Sequence, residues 1–396
     1  MRLDQIKIAF LSHEVEGPTG YPDMLGEYLR EHGAKIVHVR FPFFNSQTAS
    51  IWVEHWDGKK KLSRRRSLVR FYKPELLSFM KDFMWVMTVG WWEVRGADIV
   101  ICTNNLMGFA GLILRSLGIV KRVNYMMIDY TPQRFGNPVV EKIYRILDRL
   151  VTTKADAVWP ISVTMLDGRV KAGYVRYDEV KKIVEAPMGT YSHIVFANGA
   201  PAYDKRHLVY VGNASGKNVR ADVMVDVAGE LRDRGEKFKM TFVGGGSTTH
   251  LQARVAELKL ENHVEFIPPI PGIIDLERYL ATCGLGLAPY DPYLKDNFSK
   301  FADPGKIKNY LGCALPVIST TVPPIAEELE QTGAGKVADL TPKDFADKIM
   351  AYWNDDAGYV RARKEALRLG ERYTWPAIFD KMMEQEGLQK APSAGA

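Results

Sequence analysis

The chain has 396 residues, of which 46% are hydrophobic and 25% charged. This composition is typical of a soluble globular protein and excludes a disordered or fibrous chain, and the length predicts two domains rather than a single core. The first residues lead directly into a predicted strand, and no window holds the roughly 18 uninterrupted apolar residues of a spanning helix, so we expect neither a signal peptide nor a transmembrane segment.

The positive charge is concentrated in the first half. Residues 1–190 contain 28 Lys and Arg against 20 Asp and Glu, whereas the remainder contains 25 and 27. Most of the surplus lies in Lys59–Lys73, which has eight basic residues and no acidic one. A block of one sign indicates an anionic partner such as acidic lipid or nucleic acid, with a merely solvated loop as the alternative.

Strands and helices alternate along the first half. The predicted strands are Ile6–Ser12, Lys35–Phe41, Asp98–Thr103, Arg122–Asp129, Ala157–Ser162 and Lys181–Pro187. The predicted helices are Tyr21–Glu31, Leu106–Leu117, Pro138–Val151 and Val163–Ala172. Near-continuous apolar strands separated by helices predict a parallel, doubly wound sheet that is covered on both faces.

The second half repeats this pattern. Its predicted strands are Leu208–Gly212, Lys239–Gly245, His263–Ile267, Leu285–Tyr290 and Leu315–Thr320. Its predicted helices are Val219–Arg234, Thr248–Leu258, Leu276–Ala281, Lys306–Leu311, Pro324–Gln331, Pro342–Trp353 and Tyr359–Leu369. The fold prediction is therefore α/β, with two Rossmann-like doubly wound domains that face a cleft, where such folds bind ligands.

The domain boundaries follow from composition. We expect a first domain at 1–190, a Gly-, Ala- and Pro-rich linker at 191–206 and a second domain at 207–375. A C-terminal helix at 376–388 is expected to cross back, and residues 389–396 to be a disordered tail. Cys102, Cys283 and Cys313 lie far apart in apolar runs, which indicates buried free thiols in a reducing compartment and no metal site.

Residues 46–92 interrupt the alternation. Aromatic side chains there, including Trp91 and Trp92, accompany the basic residues Lys59, Lys60, Lys61, Arg64, Arg65 and Arg66. Basic residues beside exposed aromatics are typical of an interfacial membrane contact. We interpret the segment as a peripheral contact with an anionic membrane or with a substrate at its surface. The alternative is that the aromatics belong to the core and only the charges are exposed.

The most informative motif is Asp303–Thr320, in which a small-residue turn opens a helix that carries Lys306 and Asn309 one turn apart. A lysine is disfavoured in the first turn of a helix, where the dipole already presents positive charge. A bound anion removes that objection, because helix N–H groups, an ammonium and an amide together suit a diphosphate with a ribose attached.

Three glycine-containing turns are further candidates for ligand contact. Gly212, Asn213 and Lys217 follow one strand, and Gly244 and Gly245 follow the next, where glycine permits close approach of the backbone to a ligand. Tyr290 can stack on a base or touch a phosphate from the end of Leu285–Tyr290. In the first half, Gly17, Thr19 and Gly20 lie between the first strand and the first helix.

Two residues of the first half are candidate general bases. Asp129 ends a predicted parallel strand, a position at the ligand-binding edge of the sheet, although it can also cap a helix or pair with Arg134. His13 is the rival, because histidine titrates near neutrality. Either could take a proton from a hydroxyl group of a bound substrate.

The order and spacing of the motifs between residues 239 and 323 resemble those of GT-B glycosyltransferases of the family-4 type. That family usually carries an E-x7-E pair, which falls on Phe301 and Asn309 here, and an arginine where this chain has Asn213. Both carboxylates are therefore absent, and with Lys306 and Asn309 on this helix the local pattern is similar to the membrane-associated glucuronosyltransferase of xanthan assembly. The resemblance implies that Lys217 and the Gly17 turn contact the donor phosphates and that Asp129 is the base.

The resemblance further implies a nucleotide-diphosphate sugar donor, with UDP most frequent, and no cofactor or essential metal. We expect a hexosyl- or glucuronosyltransferase of polysaccharide or glycoconjugate biosynthesis that acts on a lipid-linked glycan at the cytoplasmic membrane face, without nucleic acid as a partner. The alternatives are a sugar-nucleotide epimerase or phosphorylase of the same fold and a non-catalytic nucleotide-sugar-binding partner protein.

Overall fold

The computed structural model describes residues 1–14, 20–43, 50–70, 75–197, 199, 201–295 and 297–390, without the side chains of 68–70 and 75. The chain forms two compact units. The first unit comprises Met1–Ala186 and the segment that starts at Phe379, and the second comprises Pro187–Ile378.

The first unit is built on a seven-stranded sheet of order β4-β3-β2-β1-β5-β6-β7. The strands are β1 (Lys7–Glu14), β2 (Lys35–Pro42), β3 (Ser50–Asp57), β4 (Lys60–Arg70), β5 (Ile99–Cys102), β6 (Arg122–Met127) and β7 (Ala157–Pro160). Strands β2, β1, β5, β6 and β7 are parallel to one another, as the apolar runs predict, and β5 is buried along its whole length.

Most of the segments that connect the strands of this unit form helices. They are α1 (Tyr21–Glu31), α2 (Glu75–Trp85), α3 (Trp91–Val94), α4 (Asn105–Ser116), α5 (Pro138–Lys154) and α6 (Thr164–Lys171), with a π-helical turn at Val86–Gly90. The chain returns to this unit near its C-terminus, where Glu386 accepts hydrogen bonds from Trp159 Nε1 at 2.9 Å and from Arg122 at 2.5 Å.

One strand prediction for the first unit is wrong, and two strands were missed. The segment Lys181–Pro187 is not a strand, because only Ile183 pairs, in an isolated bridge with Val158. The basic block was not predicted to be a strand, yet β3 and β4 form an antiparallel hairpin on β2. Strand β4 is the edge of the sheet, and Lys and Arg on an edge strand prevent pairing with other chains.

The second unit is built on a six-stranded parallel sheet of order β10-β9-β8-β11-β12-β13. The strands are β8 (His207–Val211), β9 (Lys239–Val243), β10 (Val264–Ile267), β11 (Leu285–Ala288), β12 (Val317–Ser319) and β13 (Gly335–Val337). The helices are α7 (Ser192–Val195), α8 (Ala221–Asp233), α9 (Thr249–Glu257), α10 (Ile273–Leu280), α11 (Gly305–Gly312), α12 (Ile325–Thr332), α13 (Pro342–Trp353) and α14 (Asp356–Glu371), and α15 (Trp375–Glu386) spans the boundary with the first unit.

This strand order fixes where a ligand can bind in the second unit. The order reverses between β8 and β11, and in open parallel sheets ligands bind at that switch point, beyond the carboxyl ends of the strands. In the first unit the reversal lies between β1 and β5. Within the described residues, no helix is both long and apolar enough to cross a membrane.

Candidate donor site

The site in the second unit is organised by the start of α11. Pro304 precedes the first turn with a φ of −75°, which is suited to a helix start, and the helix ends before Ala314, whose φ is 58°. Ile307 and Leu311 are fully buried and anchor one face of the helix in the core. This anchoring directs Lys306 toward the switch point of the sheet.

The Lys306 ammonium lies between two tyrosines at the ends of the central strands. Its Nζ is 4.6 Å from the ring centre of Tyr210, on β8, and 5.3 Å from that of Tyr290, beyond β11. No carboxylate or hydrogen-bond acceptor among the described residues contacts this ammonium. The two ring faces stabilise a cation only in part, so the position is suited to a charged ligand of opposite sign.

The surroundings of Lys306 disfavour its charge in the unliganded protein. Burial lowers the pKa of the Lys306 ammonium from 10.5 to about 7. A shift of this size marks a group whose protonated form lacks a counter-charge, and such groups cluster at functional sites. A diphosphate placed here would restore the pKa by supplying that charge.

The glycine turns bring two loops into direct backbone contact next to Lys306. Gly212, with a φ of 145°, donates its N–H to Val243 O at 2.9 Å, and a Cβ on it would stand 2.8 Å from Lys306 Nζ. A Cβ on Gly244, with a φ of 151°, would stand 2.0 Å from Gly212 O. The positive φ favours glycine at both positions, and at Gly244 the close approach of the two loops requires it as well.

The other donor candidates of the second unit differ in their access. Asn213 is exposed, but its Oδ1 already accepts from Ser215 N at 2.9 Å. Lys217 is exposed, and the structure gives it no ion-pair partner among the described residues. A Cβ on Gly245 would make an ordinary contact with Pro269 at 3.8 Å, and Tyr290 is 4% exposed.

Asn309 is held by a residue that sequence reasoning missed. Its Nδ2 donates to Glu277 Oε1 at 3.2 Å, and both side chains are buried. Tyr210 was also missed, because a tyrosine inside an apolar strand carries no signal that distinguishes a ligand contact from a core residue. Glu277 carried a weak signal, a carboxylate amid the hydrophobic positions of α10, although the sequence does not show what it contacts.

Asp129 lies beyond the end of β6 rather than within the strand. Its Oδ2 accepts from Arg134 at 2.6 Å, and its side chain is 55% exposed. Desolvation lowers the pKa of Arg134, but Asp129 and Tyr144 more than compensate, and its pKa is raised. The ion pair between Asp129 and Arg134, which was the alternative to a catalytic role, is thus present, and the carboxylate is also accessible to solvent.

His13 is much less accessible than Asp129. The ring lies at the switch point of the first sheet with its side chain 3% exposed, and its Nε2 is 3.2 Å from Asp82 Oδ2. Asn104 Nδ2 is 2.8 Å from Nδ1, and since Asn104 Oδ1 accepts from Met107 N, the amide donates to the ring. Both ring nitrogens are therefore engaged, which leaves no lone pair for an acceptor hydroxyl.

The first glycine turn is only partly described. Gly17 and Thr19 lie outside the described residues. Gly20 stands before the first turn of α1, where its N–H donates to Asp23 Oδ2 at 3.0 Å. The position of Gly20 is thus at the N-terminus of the helix that follows β1.

The basic hairpin combines stacked aromatics with partly compensated charges. Arg64 and Arg66 lie over the ring of Trp52, at 4.0 and 5.2 Å, and Lys61 lies 4.9 Å from that of Trp56. Carboxylates contact part of the block: Lys61 and Arg64 pair with Glu54, and Arg65 pairs with Glu93. Lys59 and Lys60 are exposed, as is Trp92, whereas Trp91 is partly buried.

The comparisons with known proteins agree with this architecture. Residues 205–355 match the family described as "Glycosyl transferases group 1". Sucrose-phosphate synthase from Thermosynechococcus elongatus has a TM-score of 0.65 at 15% identity, over 97% of this chain and 98% of that one. No curated protein sequence matches the chain.

Two further solved structures are similar over nearly their whole length. Anabaena HepE in complex with UDP has a TM-score of 0.67 at 13% identity, over 96% of this chain and 100% of that one. WaaG, a glycosyltransferase involved in lipopolysaccharide biosynthesis, has a TM-score of 0.62 at 14% identity, again over 96% and 100%. The predictions of fold and enzyme class are confirmed: residues 205–355 match a glycosyl transferase family, and the chain has the fold of GT-B glycosyltransferases.

Proposed function

We propose that the protein transfers a hexosyl or glucuronosyl residue from a UDP-sugar to a hydroxyl of a lipid-linked glycan at the cytoplasmic face of the membrane, in polysaccharide or glycoconjugate biosynthesis. The observation that carries the donor part is the unpaired Lys306 ammonium at the switch point of the second sheet. Solved structures of the same fold in complex with UDP support the choice of uridine.

The chemistry of the donor part follows from charge. When the bond between the sugar and the diphosphate breaks, negative charge develops on the leaving phosphate. The Lys306 ammonium and the first N–H groups of α11 stabilise that charge without a metal ion or other cofactor. In a partly buried site such an interaction is stronger than in water, because solvent does not screen it.

The donor part is tested by thermal stabilisation with UDP, GDP, ADP and NAD, using Lys306→Ala as the control. A rise in the unfolding temperature with UDP alone, absent in the variant, supports the proposal. A rise with GDP or ADP alone would mean that the donor carries guanine or adenine instead of uracil. No rise with any nucleoside diphosphate, or a rise with NAD alone, overturns the donor assignment.

Asp129 is proposed as the general base. Its exposed carboxylate follows the end of β6 and contacts Arg134, and a carboxylate in this position can accept a proton from an acceptor hydroxyl. Asp129→Asn should lower the rate of transfer by at least a hundredfold and leave UDP binding unchanged. Equal transfer by the variant would refute this role, whereas UDP binding without any transfer by the wild type would favour a non-catalytic function.

The proposed contact with a membrane rests on α2, a helix that exposes apolar side chains and buries polar ones. Among the described side chains of α2 the exposed ones are apolar, namely those of Leu76, Leu77, Met80 and Met84, each more than half exposed. The opposite face buries Ser78 and Asp82, at 4% and 0% exposure. In water this arrangement is unfavourable, because apolar surface is hydrated while a carboxylate is desolvated. Contact with a lipid surface would remove the apolar face of α2 from water and so eliminate the cost of its hydration.

The polarity of α2 continues beyond the helix. Val89 in the π-helical turn and Trp92 in α3 are 50% and 62% exposed, and Arg65 of the basic hairpin contacts Glu93 of the same helix. An apolar surface that borders a basic one matches the acyl and headgroup layers of an anionic membrane. Lipid-linked acceptors are found at such a surface.

This part is tested by sedimentation with anionic and zwitterionic vesicles. Reversal of Arg64, Arg65 and Arg66 to Glu should release the protein from anionic vesicles, and Leu77→Asp with Met80→Asp should weaken binding to both. The matched control reverses three exposed cations of α14, Arg361, Lys364 and Arg368, and should bind as the wild type does. Unchanged binding by the hairpin variant would refute the proposal and assign the block to protection of the edge strand β4.

A further inference from the structure

Glu277 is a buried carboxylate that receives donors from three separate residues. It lies on α10 and is 0% exposed. Its Oε1 accepts from Thr190 Oγ1 at 2.8 Å and from Asn309 Nδ2 at 3.2 Å, and Tyr191 N donates to both oxygens, at 3.1 and 2.9 Å. This residue therefore ties α11 to the segment before α7.

The contact with Glu277 determines which end of the Asn309 amide points away from it. A carboxylate accepts hydrogen bonds, so the NH₂ group of Asn309 must face Glu277, and the carbonyl oxygen must face the opposite way. This Oδ1 accepts no hydrogen bond from any residue that the structure describes. It is directed toward the first turn of α11, 3.9 Å from where a Cβ of Gly305 would stand.

The space in front of this oxygen is left open by glycine. Gly305 directly precedes Lys306 and carries no side chain, and the atom nearest to its Cβ position is Met188 Cε at 3.5 Å. An unpaired acceptor is thus placed on the turn of the helix that carries the unpaired ammonium. A ligand that bears both an anion and a hydroxyl group satisfies both.

We propose that Glu277 is a positioning residue that fixes the Asn309 amide so that Oδ1 accepts a hydrogen bond from a ribose hydroxyl of the bound nucleoside diphosphate. The inference rests on the proposed donor function and adds to it the residue that selects the ribose. A carboxylate offers acceptors at either oxygen, whereas an amide offers one acceptor and one donor group, so an amide at this position needs a neighbour that sets its orientation.

The state of Glu277 sets the conditions of the test. Burial raises the pKa of the Glu277 carboxyl to about 7, although hydrogen bonds from Thr190 and Tyr191 oppose the shift. Affinities are therefore measured by calorimetry at pH 8, where the carboxylate is mostly ionised, and each protein is described by the ratio of its affinities for UDP and for a deoxy analogue.

The ligands are UDP, 2′-deoxy-UDP and 3′-deoxy-UDP. The wild type should bind one of the deoxy analogues about three- to tenfold more weakly than UDP, the effect expected for one neutral hydrogen bond. The corresponding fluoro analogue should bind no better than the deoxy analogue, because fluorine cannot donate a hydrogen bond. This measurement requires no variant and tests directly whether the protein presents an acceptor.

Three variants separate positioning from a structural role. Asn309→Leu removes the acceptor and should reduce the UDP-to-deoxy ratio to about one. Glu277→Met removes the partner of the amide and should reduce the ratio to less than twofold, while Lys306 still binds the diphosphate. Glu277→Gln keeps an acceptor oxygen for Thr190, Tyr191 and Asn309, and should retain the wild-type ratio.

The outcomes distinguish this inference from the function on which it rests. If the wild type binds no nucleoside diphosphate, the donor function fails. If it binds UDP but Glu277→Met keeps the full ratio, or if the fluoro analogue binds as UDP does, donor binding stands and the role of Glu277 is refuted. If Glu277→Met does not fold, the fluoro analogue and Asn309→Leu still decide whether Oδ1 is presented, and equal binding of all analogues refutes the inference.

Discussion

Replacement of Lys306 by methionine should abolish nucleotide binding and, at the same time, stabilise the unliganded protein. Methionine retains the length of the side chain and its contact with the rings of Tyr210 and Tyr290, but it carries no charge that must be desolvated. Most substitutions at partly buried positions destabilise a protein, so an increase in stability is a specific expectation.

The size of the effect follows from the pKa of Lys306. A lysine with a pKa of about 7 in the folded state and 10.5 when unfolded disfavours folding below pH 7. At about 1.4 kcal/mol per pKa unit the full cost is near 5 kcal/mol, and we expect about 2–4 kcal/mol because the side chain is not completely buried. For a unit of this size, this corresponds to a rise of roughly 4–15 °C in the unfolding temperature.

The sign of the pH dependence provides an internal check. Between pH 7 and 10.5 the unfolded chain binds a proton at Lys306 that the folded chain has released, so the stability of the wild type rises with pH in this window. Lys306→Met removes that dependence. The advantage of the variant should therefore be greatest below pH 7 and disappear near pH 10.5.

The assay is thermal unfolding with and without UDP, and the matched control is Lys308→Met on the same helix. Lys308 is also buried, but its Nζ lies 3.2 Å from Asp303 Oδ1 and 3.1 Å from the ring centre of Tyr373. Breaking this buried pair should lower stability by about 3 kcal/mol. If Lys306→Met unfolds several degrees below the wild type, or if UDP still stabilises it fully, the reasoning from an unpaired ammonium is wrong.

Three further outcomes are expected. UDP binding at pH 8 should take up a proton at Lys306, because the diphosphate raises its pKa; calorimetry in buffers of different ionisation enthalpy measures this uptake, and Lys306→Met should show none. Gly212→Ala should abolish stabilisation by UDP, since its Cβ would stand 2.8 Å from Lys306 Nζ, whereas Gly235→Ala, which also lies at a positive φ but has no atom within 4 Å, should keep it. Arg169→Met should lower the free energy of unfolding by about 3–5 kcal/mol in urea, because it leaves Asp148 buried without its partner at 2.7 Å; a loss below 1 kcal/mol would contradict this.

The second unit was predicted closely because its signals are local. The strands of its sheet are short and mostly apolar, and glycine or proline follows most of them, as at Gly212 and Pro289. The predicted helix Pro342–Trp353 coincides with α13. Strand β13, of three residues, was missed, since a segment this short carries no periodicity.

The first unit was predicted less well for two physical reasons. Strand β4 is an edge strand with basic residues on both faces, so it lacks the alternation of apolar and polar residues that identifies a half-buried strand. The segment that contains Ile183 has the composition of a strand but pairs only with Val158. Pairing depends on neighbours that are distant in the sequence, and composition does not report them.

The site illustrates the same distinction between local and tertiary information. Lys306 was identified because a cation in the first turn of a helix conflicts with the helix dipole, and that conflict is visible in the sequence alone. Glu277 precedes Asn309 by 32 residues and meets it only through the packing of α10 on α11. Local motifs therefore identify Lys306 and Asn309, which are proposed to contact the ligand, and miss Glu277, which contacts the Asn309 amide.

Lys306 and Glu277 together indicate how this site differs from one built on carboxylates. Burial shifts the two pKa values toward each other, that of Lys306 down to about 7 and that of Glu277 up to about 7. Each group costs stability in its charged form, and neither neutralises the other, because Glu277 is occupied by Thr190, Tyr191 and Asn309. A site that keeps two such groups is organised for a ligand that supplies an anion to one and a hydroxyl group to the amide held by the other.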